Sequence, residues 1–437
     1  MSETQGYIDV VVGLQRGDEG KGRFVDMLAH DYDIVARFNG GDNAGHTVVL
    51  PDGEEFALHL MPSGITNPDT KNVIGNGTFV NPVSLSREID GLTEKGITID
   101  ERRLFISSGA HLILPHHVSA DEIREAGNGR QGSTVKGIAP VGSERALREG
   151  QRVEIIENDP EKLIAKIAEG LLKQKDEREC LGLDQFDIDE VTEEYLEKAC
   201  RIAAFATDTV LKLNADLQAG KTVLAEGAQA FLLDLDHGMY PYVTSSSTTS
   251  GGVTTGLGVA PKYIENTLGV AKAIPSHVGG GPFVTKVTDK ALLQRLHGNN
   301  PNAVDAERGT TTGRVRDLGY LDIPGLRRAN MVNGTDEIAL TKLDWVPRYG
   351  EQIPICTSYE RKGKELLVAP DSARKLEQCT PQYETLPAWH ENVQGVTNFA
   401  DLPDNAKRYI EHLEYWLDTP ITKIGVGPRR DQVIIRD

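Results

Sequence analysis

Cysteine is scarce in this chain, with four in 437 residues. Cys180, Cys200, Cys356 and Cys379 are widely spaced and form no Cys-x-x-Cys pair. That excludes the common zinc and dithiol patterns and predicts free thiols in a reducing, cytoplasmic setting. Long apolar runs are missing too, since nothing approaches the ~18 consecutive residues needed to span a bilayer. The start, Met1-Ser-Glu-Thr-Gln-Gly-Tyr7, lacks the basic-then-apolar pattern of a secretion signal. Positive charge is in deficit: 47 Lys and Arg face 65 Asp and Glu, for a net charge of −18. Neutralising a nucleic-acid backbone needs clustered cations, so nucleic acid is excluded as a partner and the acid reads as a solvated surface. Internal repeats and low-complexity linkers are absent. With 39% hydrophobic residues, the chain has a substantial core and no membrane partner, and its length suits one large domain or about three ordinary ones.

The chain does contain a regular alternation. Apolar, β-branched runs at residues 10–12, 34–38, 73–74, 222–225, 338–343 and 421–426 read as buried strands, each running into a polar or glycine-rich loop. Helical patterns lie between them. Asp159-Pro160-Glu161 caps a helix with Leu163, Ile164, Ile167, Leu171 and Leu172 on one face. Residues 192–217 read as one long helix, and residues 403–418 repeat Ala406, Ile410, Leu413 and Leu417 at helical spacing. The charged stretch 173–190 reads as a surface connection. Strands alternating with helices predict an α/β fold around a long, mostly parallel sheet, with ligands gathered at the carboxyl ends of the strands.

The chemistry starts after the first strand. Gly17-Asp-Glu-Gly-Lys-Gly22 offers bare backbone N–H groups and the Lys21 charge, which suit a phosphate cradle. It is not a Walker A loop, because glycine follows Lys21 where serine or threonine should stand. Asp18 is a carboxylate built into the cradle, and beside phosphates it must hold a cation or handle a proton.

This loop and Asn43-Ala-Gly-His-Thr47 resemble the adenylosuccinate synthetase family, ligases that join aspartate to a purine nucleotide with GTP. Further matches are Glu226-Gly-Ala-Gln229, the stretch from Asp236 to Ser246, Val278-Gly-Gly-Gly-Pro-Phe283, Thr311-Thr-Gly-Arg314, Thr341-Lys-Leu-Asp344 and Gly427-Pro428. The resemblance implies two steps: GTP phosphorylates the C6 oxygen of IMP, then the aspartate amine displaces that phosphate. It assigns catalysis to Asp18, His46, Lys21 and Gln229, with Mg²⁺ on Asp18 and the Gly45 carbonyl. The purine nucleotide falls to Asn43, Thr134, Arg148, Gln229, Thr244, Val278 and Arg314, and aspartate to Thr311, Thr312, Arg314 and Arg316. GTP falls to Gly17, Glu19, Gly20, Lys21, Gly22, Gly45, His46, Thr47, Lys342, Asp344, Gly425 and Gly427. It also implies one large domain over residues 1–437 and a homodimer, with Arg148 reaching the neighbouring site.

Several positions depart from the family pattern. Arg16 stands where tryptophan is usual, His277 where arginine is usual, and Asp317 interrupts a run of arginines. Arg16 lies in the loop that cradles phosphate, whereas the changed rim at Val135, Lys136 and His277 borders the purine nucleotide, so a viral-type relative that uses dGMP is the alternative. That relative carries serine at the position of Asp18, and retention of Asp18 favours IMP. A GTPase-like switch is the reading from another class, and it would need neither an aspartate loop nor the Gln229/Thr244 pair.

Overall fold

The computed structural model describes residues 5–50, 52–127, 132–298, 307 and 315–436. Ten strands form its main sheet: β1 (Ile8–Gly13), β2 (Ile34–Arg37), β3 (Lys71–Ile74), β4 (Leu104–Ser107), β5 (Ala206–Thr207), β6 (Val223–Glu226), β7 (Ile264–Lys272), β8 (Glu337–Thr341), β9 (Ile421–Gly425) and β10 (Val433–Ile435). Their spatial order is β10-β9-β8-β7-β1-β6-β2-β3-β4-β5. All neighbours run parallel except β9 and β10.

The strand side chains alternate between two cores. Val10 and Val12 join a large cluster with Ala36 and Ala225, while Val11 packs with Val35, Leu224, Phe24 and Val25 on the other face. A sheet covered on both faces needs apolar residues at every position, which explains the unbroken β-branched runs. Helices supply the cover: α1 (Lys21–Leu28), α2 (Pro82–Glu94), α3 (Pro115–Ala126), α4 (Ile138–Leu147), α5 (Pro160–Cys180), α6 (Ile188–Ala203), α7 (Thr209–Gln218) and α8 (Asp404–Leu417).

The structure corrects three expectations. The helix expected over 192–217 is two, α6 and α7, because Ala206 and Thr207 pair with β4 at the sheet edge and the Asp208 side chain caps α7 by accepting from Leu211 N–H. On α5, Leu163, Ile167 and Leu171 are buried, but Ile164 and Leu172 face solvent. Most of 173–190 is helix, and only residues 181–187 connect α5 to α6. Within it Arg178 is buried, donating to Ser119 Oγ at 3.0 Å and to the Asp184 carbonyl at 2.9 and 2.7 Å. An arginine so placed satisfies its donors locally while its stem packs as apolar surface.

The carboxyl ends of six adjacent central strands open onto one region. β1 leads into the Gly17–Gly22 loop, β2 towards Asn43 and His46, β6 into Gln229, β7 towards His277, β8 into Lys342 and β9 towards Gly427.

Candidate active site

The loop after β1 turns through left-handed backbone at Gly17 (φ 95°), Asp18 (φ 59°) and Gly20 (φ 94°). An aspartate tolerates this region better than most residues, though at some cost in strain. Glu19 folds back into the loop, accepting from Gly17 N–H at 2.7 Å and from Lys21 Nζ at 2.9 Å. Gly22 lies against His46, where an added Cβ would come within 2.6 Å of the His46 Cβ. Only glycine lets α1 approach that histidine so closely.

His46 opens a hairpin of two strands, His46–Val49 and Glu55–Leu58. Its ring is buried, with Nδ1 2.5 Å from Glu226 Oε1. Glu226 also accepts from Ser63 N–H at 2.8 Å and Ser63 Oγ at 2.6 Å. Burial pushes this carboxyl upward, but His46, Arg37 and Ser63 together hold it down at about 2. Burial lowers the His46 pKa, against the pull of Glu226. Both trends agree with an ionised Glu226 accepting from the Nδ1–H of a neutral imidazole, which leaves Nε2 to act elsewhere.

A cavity of about 420 Å³ is lined by Arg16, Asp18, Lys21, Asn43, Gly45, His46, Thr134, Gln229, Thr244 and Val278, among others. Gln229 donates from Nε2 to Asn43 Oδ1 at 3.1 Å, while its Oε1 and the Thr244 Oγ are buried without hydrogen-bond partners. Buried polar atoms left open in this way are what a bound ligand satisfies. Thr134 sits in a loop anchored to α3 through Asp121, which accepts from Ser133 Oγ at 3.2 Å and Gly137 N–H at 2.9 Å. A neighbouring cavity of about 120 Å³ is lined by Glu19, Gly20, Arg23, Thr341, Lys342, Asp344, Gly427 and Pro428, among others. Arg23 ties this wall together, donating to the carbonyls of Gly427 at 2.5 Å and Gln432 at 2.6 Å. Gly425 lies against the Arg23 guanidinium, outside the residues that line this cavity.

Asp18, Gly20, Thr47, Lys272 and Lys342 line both cavities. Among the described residues Asp18 is the only carboxylate that does so. Its side chain is 33% exposed, and with the Gly45 carbonyl it offers the oxygen donors that Mg²⁺ prefers. The residues present therefore fit that ion.

Asp18 is also paired with Arg316 Nη2 at 2.7 Å. Arg316 in turn meets Glu307 at 3.1 Å, and Glu307 bridges to Lys272 at 3.0 Å and Lys342 at 3.3 Å. One buried carboxylate thus gathers three cations from the loop before residue 317, the end of β7 and the end of β8. Thr311, Thr312 and Arg314 lie outside the described residues. Glu307 and Lys272 were not singled out in the sequence. The available signal for Lys272 was a lysine closing the apolar run 268–271. Glu226 lies inside the motif Glu226-Gly-Ala-Gln229, and its role comes from its contact with His46, which the sequence does not display.

Arg148 is exposed at the C-cap of α4 with φ 65°, away from both cavities. Its helix is fixed by Glu144, which lies 3.2 Å from both His116 Nε2 and His117 Nε2 and 3.4 Å from Lys166 Nζ. His117 Nδ1 accepts from Leu114 N–H at 2.9 Å. With Nδ1 accepting, the neutral His117 ring carries its proton on Nε2, which lies close to Glu144 and leaves no lone pair there for a metal, so the group reads as a clamp between α3 and α4.

A sequence model described as adenylosuccinate synthetase matches residues 10–434. Adenylosuccinate synthetases of Chlorobium chlorochromatii and Saccharopolyspora erythraea are 44% and 43% identical, over 98% of this chain and 97% and 98% of theirs. The fully ligated adenylosuccinate synthetase of Plasmodium falciparum superposes with a TM-score of 0.88 at 36% identity, covering 99% of this chain and 100% of its own. The succinoaminodeoxyadenylate synthetase of cyanophage S-2L shares the fold at a TM-score of 0.57 and 18% identity, over 99% of this chain and 95% of its own. With its motifs in order along nearly the whole chain, and those among the described residues gathered at the ends of six neighbouring strands, the protein belongs to the adenylosuccinate synthetase family.

Proposed function

We infer that this protein is a GTP-dependent ligase that joins L-aspartate to IMP, forming adenylosuccinate through a 6-phosphoryl-IMP intermediate. The observation that carries this reading is the meeting of two cavities at Asp18. The larger would hold IMP and aspartate, and the smaller would hold the guanine end of GTP, so that phosphoryl transfer crosses their junction.

An amine displaces a carbonyl oxygen poorly, and phosphorylation converts that oxygen to a good leaving group. In this reading Asp18 takes the proton from purine N1, so that electron density reaches O6 as it attacks the γ-phosphoryl. His46, hydrogen-bonded to ionised Glu226, stabilises the transferring phosphoryl group through Nε2. The arriving phosphates favour the charged imidazole, which Glu226 is placed to balance. The aspartate amine then attacks C6 and inorganic phosphate leaves.

Gln229 and Asn43 would orient the purine, with Thr134, Thr244 and Val278 on the nucleotide wall. Arg316, with Thr311, Thr312 and Arg314, would receive the aspartate carboxylates. Asp344 accepts from guanine N1–H and the 2-amino group, donors that adenine lacks. Bound Mg²⁺ would neutralise phosphate charge beside Asp18 and Gly45.

Arg148 is proposed to act on the nucleotide of a second subunit in a homodimer, which its exposure outside its own cavity supports. Free thiols at Cys180, Cys200, Cys356 and Cys379 support a cytoplasmic setting.

The deciding assay offers GTP, Mg²⁺ and aspartate with IMP or dGMP in competition and separates the products by mass. Adenylosuccinate is expected to dominate by at least ~10-fold, which needs only ~1.4 kcal/mol of differential transition-state binding. A dominant product carrying the extra amino group and lacking the 2′-hydroxyl would overturn the IMP assignment. GTP hydrolysis that proceeds without purine nucleotide or aspartate would point to a switch and against a ligase.

A further inference from the structure

Arg16 leaves the phosphate loop in a direction of its own. Its side chain is buried. Nη2 donates to the Pro282 carbonyl at 2.7 Å, Nη1 donates to Met239 Sδ at 3.4 Å, and the charge lies 4.4 Å from the centre of the Phe283 ring. Met239 begins the stretch that reaches Thr244, and Pro282 and Phe283 end the stretch that begins with His277 and Val278. Both stretches line the larger cavity, as Arg16 does.

The two stretches also meet directly at Gly281, where φ is 98° and an added Cβ would sit 2.9 Å from the Tyr242 ring. Backbone contact on one side and a guanidinium strut on the other fix their separation. A planar, five-donor group can hold two acceptors in set directions, which an ammonium cannot. The nearby imidazole does not share this work. His277 Nε2 donates to the Gly280 carbonyl at 2.9 Å, within its own loop, and its ring meets Phe283 edge-on at 6.4 Å. Burial and the Arg16 charge hold the His277 pKa down at about 4, so the ring is neutral at working pH.

We propose that Arg16 is a positioning residue that sets the width of the purine-nucleotide subsite by bridging segments 239–244 and 277–283. The strut places Thr244 and Val278 relative to one another, and the phosphate loop that carries Arg16 also carries Asp18. Purine-nucleotide fit and the position of the base are thereby tied through one side chain.

This inference rests on reading the larger cavity as the purine-nucleotide site. Calorimetric binding of IMP to the wild-type protein tests that reading separately. Arg16→Met keeps much of the stem and removes both hydrogen bonds, whereas Arg16→Lys keeps the charge and reaches one acceptor. The Met variant is expected to raise KM for IMP by ~10-fold or more while KM for GTP moves by less than ~2-fold, with the Lys variant between the two. IMP binding measured by calorimetry should weaken in parallel. A variant with unchanged KM for IMP, or with both KM values rising together, overturns the proposal. If the Met variant does not fold, the same split or its absence in the Lys variant decides the matter.

Discussion

His46 and Glu226 are 180 positions apart in sequence, yet the imidazole Nδ1 and the carboxylate Oε1 lie 2.5 Å apart in a buried pair. The pairing leaves one ring nitrogen available and fixes which one. His46→Asn is expected to lower kcat by orders of magnitude with a modest change in GTP binding, as for a contact made in the transition state. Glu226→Gln preserves shape but removes the charge that supports an imidazolium, and kcat should fall ~10²-fold. Losses confined to GTP affinity in both variants would contradict this arrangement.

Asp18 sits in left-handed backbone at the junction of the two cavities. Asp18→Asn tolerates that conformation and cannot accept the N1 proton, so turnover should be abolished while the protein stays folded. Asp18→Ala should be equally inactive. Near-normal turnover by folded Asn variant, followed with product formation and circular dichroism, would refute the role of Asp18 as base.

Arg148 lies outside the cavities of its own chain. Mixing Arg148→Leu subunits with Asp18→Ala subunits should restore activity, because one site of each heterodimer then has both groups. Random exchange predicts about half of the molecules as heterodimers, each with one working site of two, so recovery approaches one quarter of wild type. No recovery after proven subunit exchange would place Arg148 in its own site or in none.

Two histidines contribute to the acid side of the stability profile. Burial, with help from nearby arginines, holds both His111 and His277 down at about 4. The unfolded chain takes up these protons near ~6.5, the folded chain only near 4, so protonation favours unfolding across that window. The stabilisation is present above pH ~6.5 and is lost as the pH falls towards 4. Urea midpoints measured at pH 7.5, 6, 5 and 4 should therefore fall progressively. His277→Gln should flatten that fall, and a slope unchanged by it would show that His277 is not a source.

Much of the fold could be read from period and punctuation. The runs 10–12, 34–38 and 222–225 became central strands because residues buried on both faces leave no other pattern. The split at Ala206–Thr207 was hidden: two residues pairing at a sheet edge give no periodic signal, and only Asp208 before Thr209 marked a cap. Loop chemistry was legible where a motif bundles it, as in Gly17–Gly22. Glu307, Lys272 and the Arg16 strut were not, because each acquires meaning only from partners far away in the chain.

The groups of this site are drawn from the end of β1, near residue 13, through to Pro428 beyond β9. Synthesis runs from one end, so residues 427 and 428 are added long after Asp18 and the rest of the smaller cavity's wall. No fragment that ends before Gly427 brings Asp344 and Gly427 together in one cavity wall. A fragment cut short before β9 lacks the Gly427–Pro428 wall and also loses Ile421, Ile424 and Ile434 from the core, so the smaller cavity and this edge of the sheet are lost together.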